Sequence, residues 1–197
     1  MYLPCFKIWE GELMGFYNPR PESNFIVDKV LKWITDIIVF VAVAVFFVIY
    51  LGEETSIVGS SMAPAIDDGQ VILIDRMSYE ITSPGRFDVI VYKSKTTENQ
   101  YVIKRIIGLP GETVKIEDSK IYINGEVLED KYFDGTYESG YAQNEIKVGN
   151  NQYFVMGDNR NLSEDSRFEY IGNISEENII GKAWLIASPF KEIGFID

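Results

Sequence analysis

Three short segments of the 197-residue chain hold the residue types that hydrolytic chemistry requires. Gly59-Ser60-Ser61-Met62-Ala63-Pro64 places two hydroxyls in a stretch of small residues, where glycine lets a ligand backbone come close. A flexible linker has a similar composition, but Met62, Pro64 and Ile66 are apolar residues that a linker does not need. Lys104-Arg105-Ile106-Ile107-Gly108-Leu109-Pro110-Gly111-Glu112 brackets two cations with apolar neighbours. On a strand, Lys104 shares a face with Val102 and Ile106, and Arg105 lies opposite with Ile103 and Ile107. Most strand lysines reach out to water. One held in apolar surroundings has its ammonium form disfavoured, so its pKa falls from about 10.4 and it becomes a base near neutral pH. The third segment, Gly157-Asp158-Asn159-Arg160-Asn161-Leu162-Ser163-Glu164-Asp165-Ser166-Arg167, follows the apolar run QYFVM. It reads either as a polar turn with local ion pairs or as a shell of groups that orients a catalytic side chain.

Composition excludes the commoner alternatives. There is no histidine, so neither Ser-His-Asp nor Cys-His catalysis is available, nor an HExxH zinc site. Cys5 is the one cysteine, too few for an internal disulfide or a Cys-rich metal site. No metal and no cofactor are expected. Any hydrolytic chemistry here must use Ser, Lys, Asp, Glu or Tyr, and a lysine in apolar surroundings could replace the missing imidazole. The net charge of −12 argues against nucleic-acid binding, which would set the chain against phosphates. A hydrophobic content of 46% with 14% aromatics argues equally against disorder.

The elements that must hold these segments fall on two sides of a hydrophobic divide. Ile37–Leu51 reads IIVFVAVAVFFVIYL, fifteen residues without a charge. Extension back to Trp33 reaches roughly 20 residues, the length that crosses a hydrocarbon core, with Trp33 and Tyr50 as interfacial aromatics. A cleaved signal peptide and a buried pair of strands compete with this reading, although the long polar stretch before it does not suit the former. Arg20, Lys29 and Lys32 precede the span, and no Lys or Arg occurs between Leu51 and Arg76. The positive-inside rule therefore expects a cytoplasmic tail (residues 1–32), a single transmembrane helix (33–51) and an extracytoplasmic domain (52–197) at the plasma membrane. Residues 1–32 sum to zero charge, whereas 14 basic and 25 acidic residues follow from Glu53 onward, so the outer domain carries nearly all the negative charge. It has no cysteine and depends on no disulfide.

That domain reads as β. Strands are expected over Val71–Asp75, Phe87–Lys93, Tyr101–Ile107, Thr113–Ile116, Lys120–Ile123, Gln152–Met156 and Ile179–Ala187. Asn124-Gly125 between IYI and EVL predicts a two-residue hairpin turn with positive φ at both positions. No amphipathic helix of ten or more residues is expected after Leu51. Residues 126–151 are polar and Tyr/Gly-rich and read as a peripheral, variable hairpin or loop insertion. The fold class is mainly β: one N-terminal transmembrane helix and a folded-sheet or barrel-like catalytic domain.

G-x-S-M-x-P after a single span, then KRIIGLPGE, then GDNRxxSxDSR, in that order, resemble the bacterial type I signal peptidases, Gram-positive members included. The resemblance runs from about Ser56 to Ala187 and leaves the 126–151 insertion unmatched. It implies a serine endopeptidase that removes signal peptides from exported preproteins after small-x-small (Ala-x-Ala) sites. Ser61 would be the nucleophile and Lys104 the general base. Ser163 would hydrogen-bond the Lys104 ammonium, Asp165 and Arg167 would form an ion pair under the loop, and Asp158 and Arg160 would shape its start. Met62, Ile66, Val91 and Ile103 would line pockets for small side chains of a peptide bound by strand addition.

The implied partners are preprotein signal peptides and the lipid bilayer, near the secretion translocon, with no nucleic acid. Three positions depart from the pattern: Gly59 stands where some relatives have a hydroxyl residue, Asn161-Leu162 replaces Asp-Asn, and RFDVIV lacks a Gly before Asp88. The first leaves the oxyanion hole to the Ser61 backbone N–H. A self-cleaving repressor-type protease shares the dyad, but this chain has neither an Ala-Gly nor a Cys-Gly target dipeptide. The remaining alternative is a non-catalytic, or narrowly dedicated, signal-peptidase-like factor for pilus or envelope assembly.

Overall fold

An unbroken apolar run such as Val89–Tyr92 needs cover on both faces of its strand. The computed structural model describes residues 25–51, 53–56, 59–94, 100–133 and 135–196, and it supplies that cover. The expected tail up to residue 24, Cys5 included, lies outside the described residues. The described chain holds helix α1 (Phe25–Leu51), then β1 (Glu53–Ser56), β2 (Val71–Asp75), the single-turn helix α2 (Ser78–Ile81), β3 (Val89–Lys93) and β4 (Tyr101–Gly108). After these come β5 (Thr113–Glu117), β6 (Lys120–Ile123), β7 (Glu126–Leu128), β8 (Ile146–Lys147), β9 (Gln152–Met156), β10 (Ile174–Ser175), β11 (Ile179–Ser188) and β12 (Gly194–Phe195). The protein is mainly β beyond α1.

One sheet runs β1-β2-β11-β3-β4-β9-β10 with β12 beside β11, and a smaller one runs β7-β6-β5-β8. The pairings are antiparallel throughout. β1 and β10 terminate the larger order, so the sheet is an open path and not the closed barrel its strand count allowed. Val89 and Val91 project into a cluster with Met62, Ile66, Ile72, Ile74, Ile103, Ala183 and Ile186. Ile90 and Tyr92 project the other way, against Ile106, Tyr153, Val155 and Ile174. A third cluster fills the space beneath the smaller sheet, where Ile107, Phe154 and Met156 meet Val114, Ile116, Ile121 and Ile123. Ile103 and Ile107 share one face of β4 yet enter different cores, and Arg105 is buried between them.

All seven expected strands form, three with the expected ends and four with one end shifted by a residue or two. The largest difference is at β3, which starts at Val89, because Phe87 adopts φ 71° and leaves the extended region. Asn124 and Gly125 take φ 52° and 86°, the hairpin turn that the dipeptide predicts. β7 is the EVL arm of that hairpin, whereas β1, β8, β10 and β12 were not expected: at two to four residues they are too short to show a period. Segment 126–151 is not peripheral. Its β8 pairs with β5, and Tyr137, Ala142 and Val148 are buried in the third cluster, so a sequence with a polar exterior still supplies a wall of core.

The chain divides into two units, Met1–Val43 and Ala44–Asp197, and both sheets belong to the second. Helix α1 is longer than its apolar part. Asp28, Lys29, Lys32 and Asp36 interrupt the first half, which leaves Ile37–Phe46 as the uncharged stretch whose side chains are described. Ten residues rise only about 15 Å. Among the described residues no helix is long and apolar enough to cross a membrane. Residues 47–51 of the expected span continue the helix, but their side chains lie outside the described ones.

Burial contrasts give a direct check on this packing. Ile106 is fully buried and Ile81 is 77% exposed. Ile106→Ala is expected to cost about 2–5 kcal/mol and Ile81→Ala less than about 0.5 kcal/mol. Urea unfolding of the full-length chain measures both, and equal midpoints would contradict the assignment of the core.

Candidate active site

Residues 59–70 form a constrained loop. Met62 and Ile66, 1% and 0% exposed, plug it into the first core cluster. The backbone N–H of Gly59 donates to Asp68 Oδ1 (2.7 Å), that of Ile66 to Met62 O (3.0 Å) and that of Asp67 to Gln70 Oε1 (3.0 Å). Gln70 Nε2 in turn donates to Glu192 Oε2 (2.6 Å). These bonds exclude the linker reading of the segment and leave Ser61 half-buried at its turn. Gly59 has φ 115°, a conformation that a side chain strains, so the hydroxyl some relatives carry there does not suit this backbone.

Strand β4 delivers the second group. Lys104 is 3% exposed, and its Nζ lies 2.7 Å from Ser61 Oγ, in hydrogen-bond contact across 43 residues of chain. Burial lowers the Lys104 pKa to about 8, a fall that the nearby Arg167 guanidinium reinforces and that Asp165, Glu164 and Asp158 oppose. A large fraction of the amine is therefore neutral at mildly alkaline pH. The neutral nitrogen has a lone pair to accept the Ser61 proton, which is the requirement for an activated serine.

The third segment packs beneath both. The backbone N–H of Asn159 donates to Ser61 O (3.0 Å). A Cβ on Gly157 would fall 2.4 Å from Ser61 O and 2.3 Å from Ser163 Oγ, so glycine is needed for the loop to approach Ser61 this closely. Asp165 receives Arg167 Nε on Oδ1 (2.8 Å) and Nη2 on Oδ2 (2.9 Å), and its Oδ2 also receives the Gly157 N–H (3.0 Å). The expected ion pair is present and it carries the loop. Asp158, however, pairs with Arg105 (Nε 2.8 Å, Nη2 2.6 Å), while Arg160 donates from Nε to Gly157 O (2.9 Å) and pairs with Asp130 (2.8 Å).

Two expectations fare differently. Ser163 does not hydrogen-bond Lys104: its Oγ is buried without a partner under Gly157, and the amine contacts Ser61 Oγ instead. Met62, Ile66, Val91 and Ile103 do come together, in one cluster, but as closed core at 0–6% exposure and not as open walls. The sequence reading missed Asp130, Tyr132 and Tyr137. Their one signal was a group of aromatics in a stretch otherwise polar enough for a solvated loop.

A serine and a buried lysine in hydrogen-bond contact, at the crossing of these three motifs, agree with the comparisons. The family model described as "Signal peptidase, peptidase S26" matches residues 30–187. The chain belongs to the signal peptidase family. It is an enzyme, a serine endopeptidase of the signal peptidase I type. Signal peptidase I T of Bacillus subtilis (strain 168) is 33% identical over 184 residues, covering 89% of this chain and 94% of that one. Signal peptidase I U of the same organism is 39% identical over 142 residues, covering 68% and 75%. Among solved structures, signal peptidase I from Enterococcus faecalis V583 is similar with 35% identity and a TM-score of 0.44, covering 52% of this chain and 97% of that one. Among the described residues of the peptidase, no group of three or more His, Cys, Asp or Glu is placed to hold a metal ion.

Burial of Lys104 sets a pH-dependent cost on the fold. Below pH 8 folding must carry an ammonium into the site. Between about 8 and 10.5 the folded lysine is neutral while the unfolded one still holds its proton, so the cost fades as pH rises. Its size below pH 8 is on the order of 3 kcal/mol. Lys104→Met is therefore expected to raise the urea midpoint at pH 7, with the gain over wild type shrinking by pH 10; a variant less stable than wild type at pH 7 contradicts the desolvated amine. Gly157→Ala is expected to remove activity and lower the midpoint, and wild-type values for both would contradict the close approach at Ser61.

Proposed function

We propose that the peptidase removes signal peptides from exported preproteins, cutting after small-x-small sites by acyl transfer through Ser61 and Lys104. The observation that carries this reading is the 2.7 Å contact between Lys104 Nζ and Ser61 Oγ inside a site that lowers the amine pKa to about 8. Neutral Lys104 takes the Ser61 proton as Oγ attacks the carbonyl at the cleavage site. The Ser61 backbone N–H faces the negative charge that develops on the carbonyl oxygen. The amine of the mature protein leaves with the proton held by Lys104, and the signal peptide remains as an ester on Ser61. Lys104, neutral again, deprotonates a water that attacks the ester and frees the serine. Asp165–Arg167 and Arg105–Asp158 hold the groups in register.

Substrate enters as an extended strand across the Ser61–Lys104 pair. Residues 33–51 anchor the enzyme in the plasma membrane with the tail in the cytoplasm, and the catalytic domain faces the outside near the translocon. The exposed apolar side chains along α1, Trp33, Ile37, Phe40 and Val43 among them, support a lipid environment for this helix. The charge of the chain, −12 in all, suits a solvated envelope domain.

The test is cleavage of an Ala-x-Ala preprotein by the full-length enzyme. Ser61→Ala and Lys104→Ala are each expected to abolish cleavage while circular dichroism stays unchanged, and retained activity in either sinks the dyad. Only the neutral amine acts, so log kcat/KM is expected to rise with pH and level off near pH 8. A rate independent of pH from about 5 to 10 would rule out a titrating lysine.

A further inference from the structure

Three arginines of the active-site scaffold are buried: Arg105 at 0%, Arg160 at 1% and Arg167 at 3% exposure. A buried guanidinium is stable only with a carboxylate or an equivalent set of acceptors. Asp158 serves Arg105 and Asp165 serves Arg167, both from the catalytic loop itself. Arg160 has no carboxylate from that loop. Among the described residues its partner is Asp130, 2.8 Å from Nη1, from the connection after β7.

The same connection reaches the other two. The Tyr132 ring lies flat under Arg105, with Cζ 3.5 Å from its centroid, and packs against Phe87 at 5.5 Å. Tyr137 lies 5.5 Å from Cζ of both Arg160 and Arg167. Glu138 O accepts Arg167 Nη1 (3.1 Å), and Arg167 O accepts the Tyr141 N–H (2.8 Å). Arg160 then holds Gly157 O, beside Ser61, and Arg167 holds the carbonyl of Arg160.

We infer that Asp130, Tyr132, Tyr137 and Glu138 act as a clamp on the catalytic loop, in which Asp130 and Tyr132 are positioning residues for the Ser61–Lys104 pair. Asp130 neutralises Arg160, which fixes Gly157 against Ser61 O. Tyr132 seats Arg105, the residue next to Lys104 on β4. Neither side chain touches substrate; both govern the distance over which Lys104 takes the proton. The clamp rests on the Ser61/Lys104 reading of the site.

Preprotein cleavage by full-length Asp130→Ala, Asp130→Glu and Tyr132→Leu tests it, beside Ser61→Ala and Val127→Ala. Val127 belongs to the same segment but is 60% exposed and is expected to leave the rate unchanged. Asp130→Ala and Tyr132→Leu are expected to lower kcat by roughly tenfold to a hundredfold, the cost of a displaced catalytic group. KM should stay within about twofold, since substrate contacts are intact. Asp130→Glu is expected to recover most of the lost kcat. Circular dichroism and the urea midpoint of each variant separate misplacement from unfolding. Wild-type kcat in folded Asp130→Ala overturns the clamp, as does a loss confined to KM or a loss that Asp130→Glu does not relieve. If Asp130→Ala does not fold, Tyr132→Leu decides by the same criteria. Should Ser61→Ala itself remain active, the dyad fails and the clamp with it; an inactive Ser61→Ala beside fully active clamp variants refutes the clamp alone.

Discussion

Lys104 reaches Ser61 Oγ at 2.7 Å with 3% of its surface left to water, and the desolvation of its amine shapes the rest of the domain. An ammonium in that place is costly, and its neutral form is the chemically useful one. The cost must be met elsewhere, by strands covered on both faces. β3 and β4 are such strands, packed by the first and second clusters on their two sides. The stability that the cores provide offsets a charge-bearing group kept in the wrong solvent for its usual state.

Around the amine the protein places arginines and carboxylates in nearly matched numbers. Asp158 balances Arg105, Asp165 balances Arg167 and Asp130 balances Arg160. An excess of acid would restore the ammonium; an excess of base would depress it further and leave buried cations without partners. Arg167 and Asp165 act on Lys104 in opposite directions, so the amine pKa is set by burial first and by this balance second. The second sheet enters the chemistry here, since the connection between β7 and β8 contributes Asp130 and the aromatic faces.

Much of this was legible beforehand where a feature is local. The seven longer strands show their period, and Asn124-Gly125 shows its turn, because both are properties of neighbouring residues. Ser61, Lys104 and the Asp165–Arg167 pair were legible through motif order, and the last is two residues apart. The expected hydrogen bond from the Lys104 ammonium to Ser163 does not form, because the loop turns that hydroxyl beneath Gly157. Arg105 and Arg160 likewise found partners 53 and 30 positions away, which no spacing rule relates to them.

The sequence by itself excluded imidazole catalysis, since the chain has no histidine, and it set a lysine among apolar strand neighbours that disfavour its charged form. It also determined the uneven charge and the hydrophobic stretch that divides the chain. Tertiary structure alone decided the distance at which Lys104 and Ser61 meet, how closely Gly157 lets the loop approach, and that a polar insertion closes over three buried arginines. The physical reason is the range of the forces. Propensity and periodicity act over a few residues, whereas desolvation and charge pairing depend on which distant segments share the same low-dielectric space.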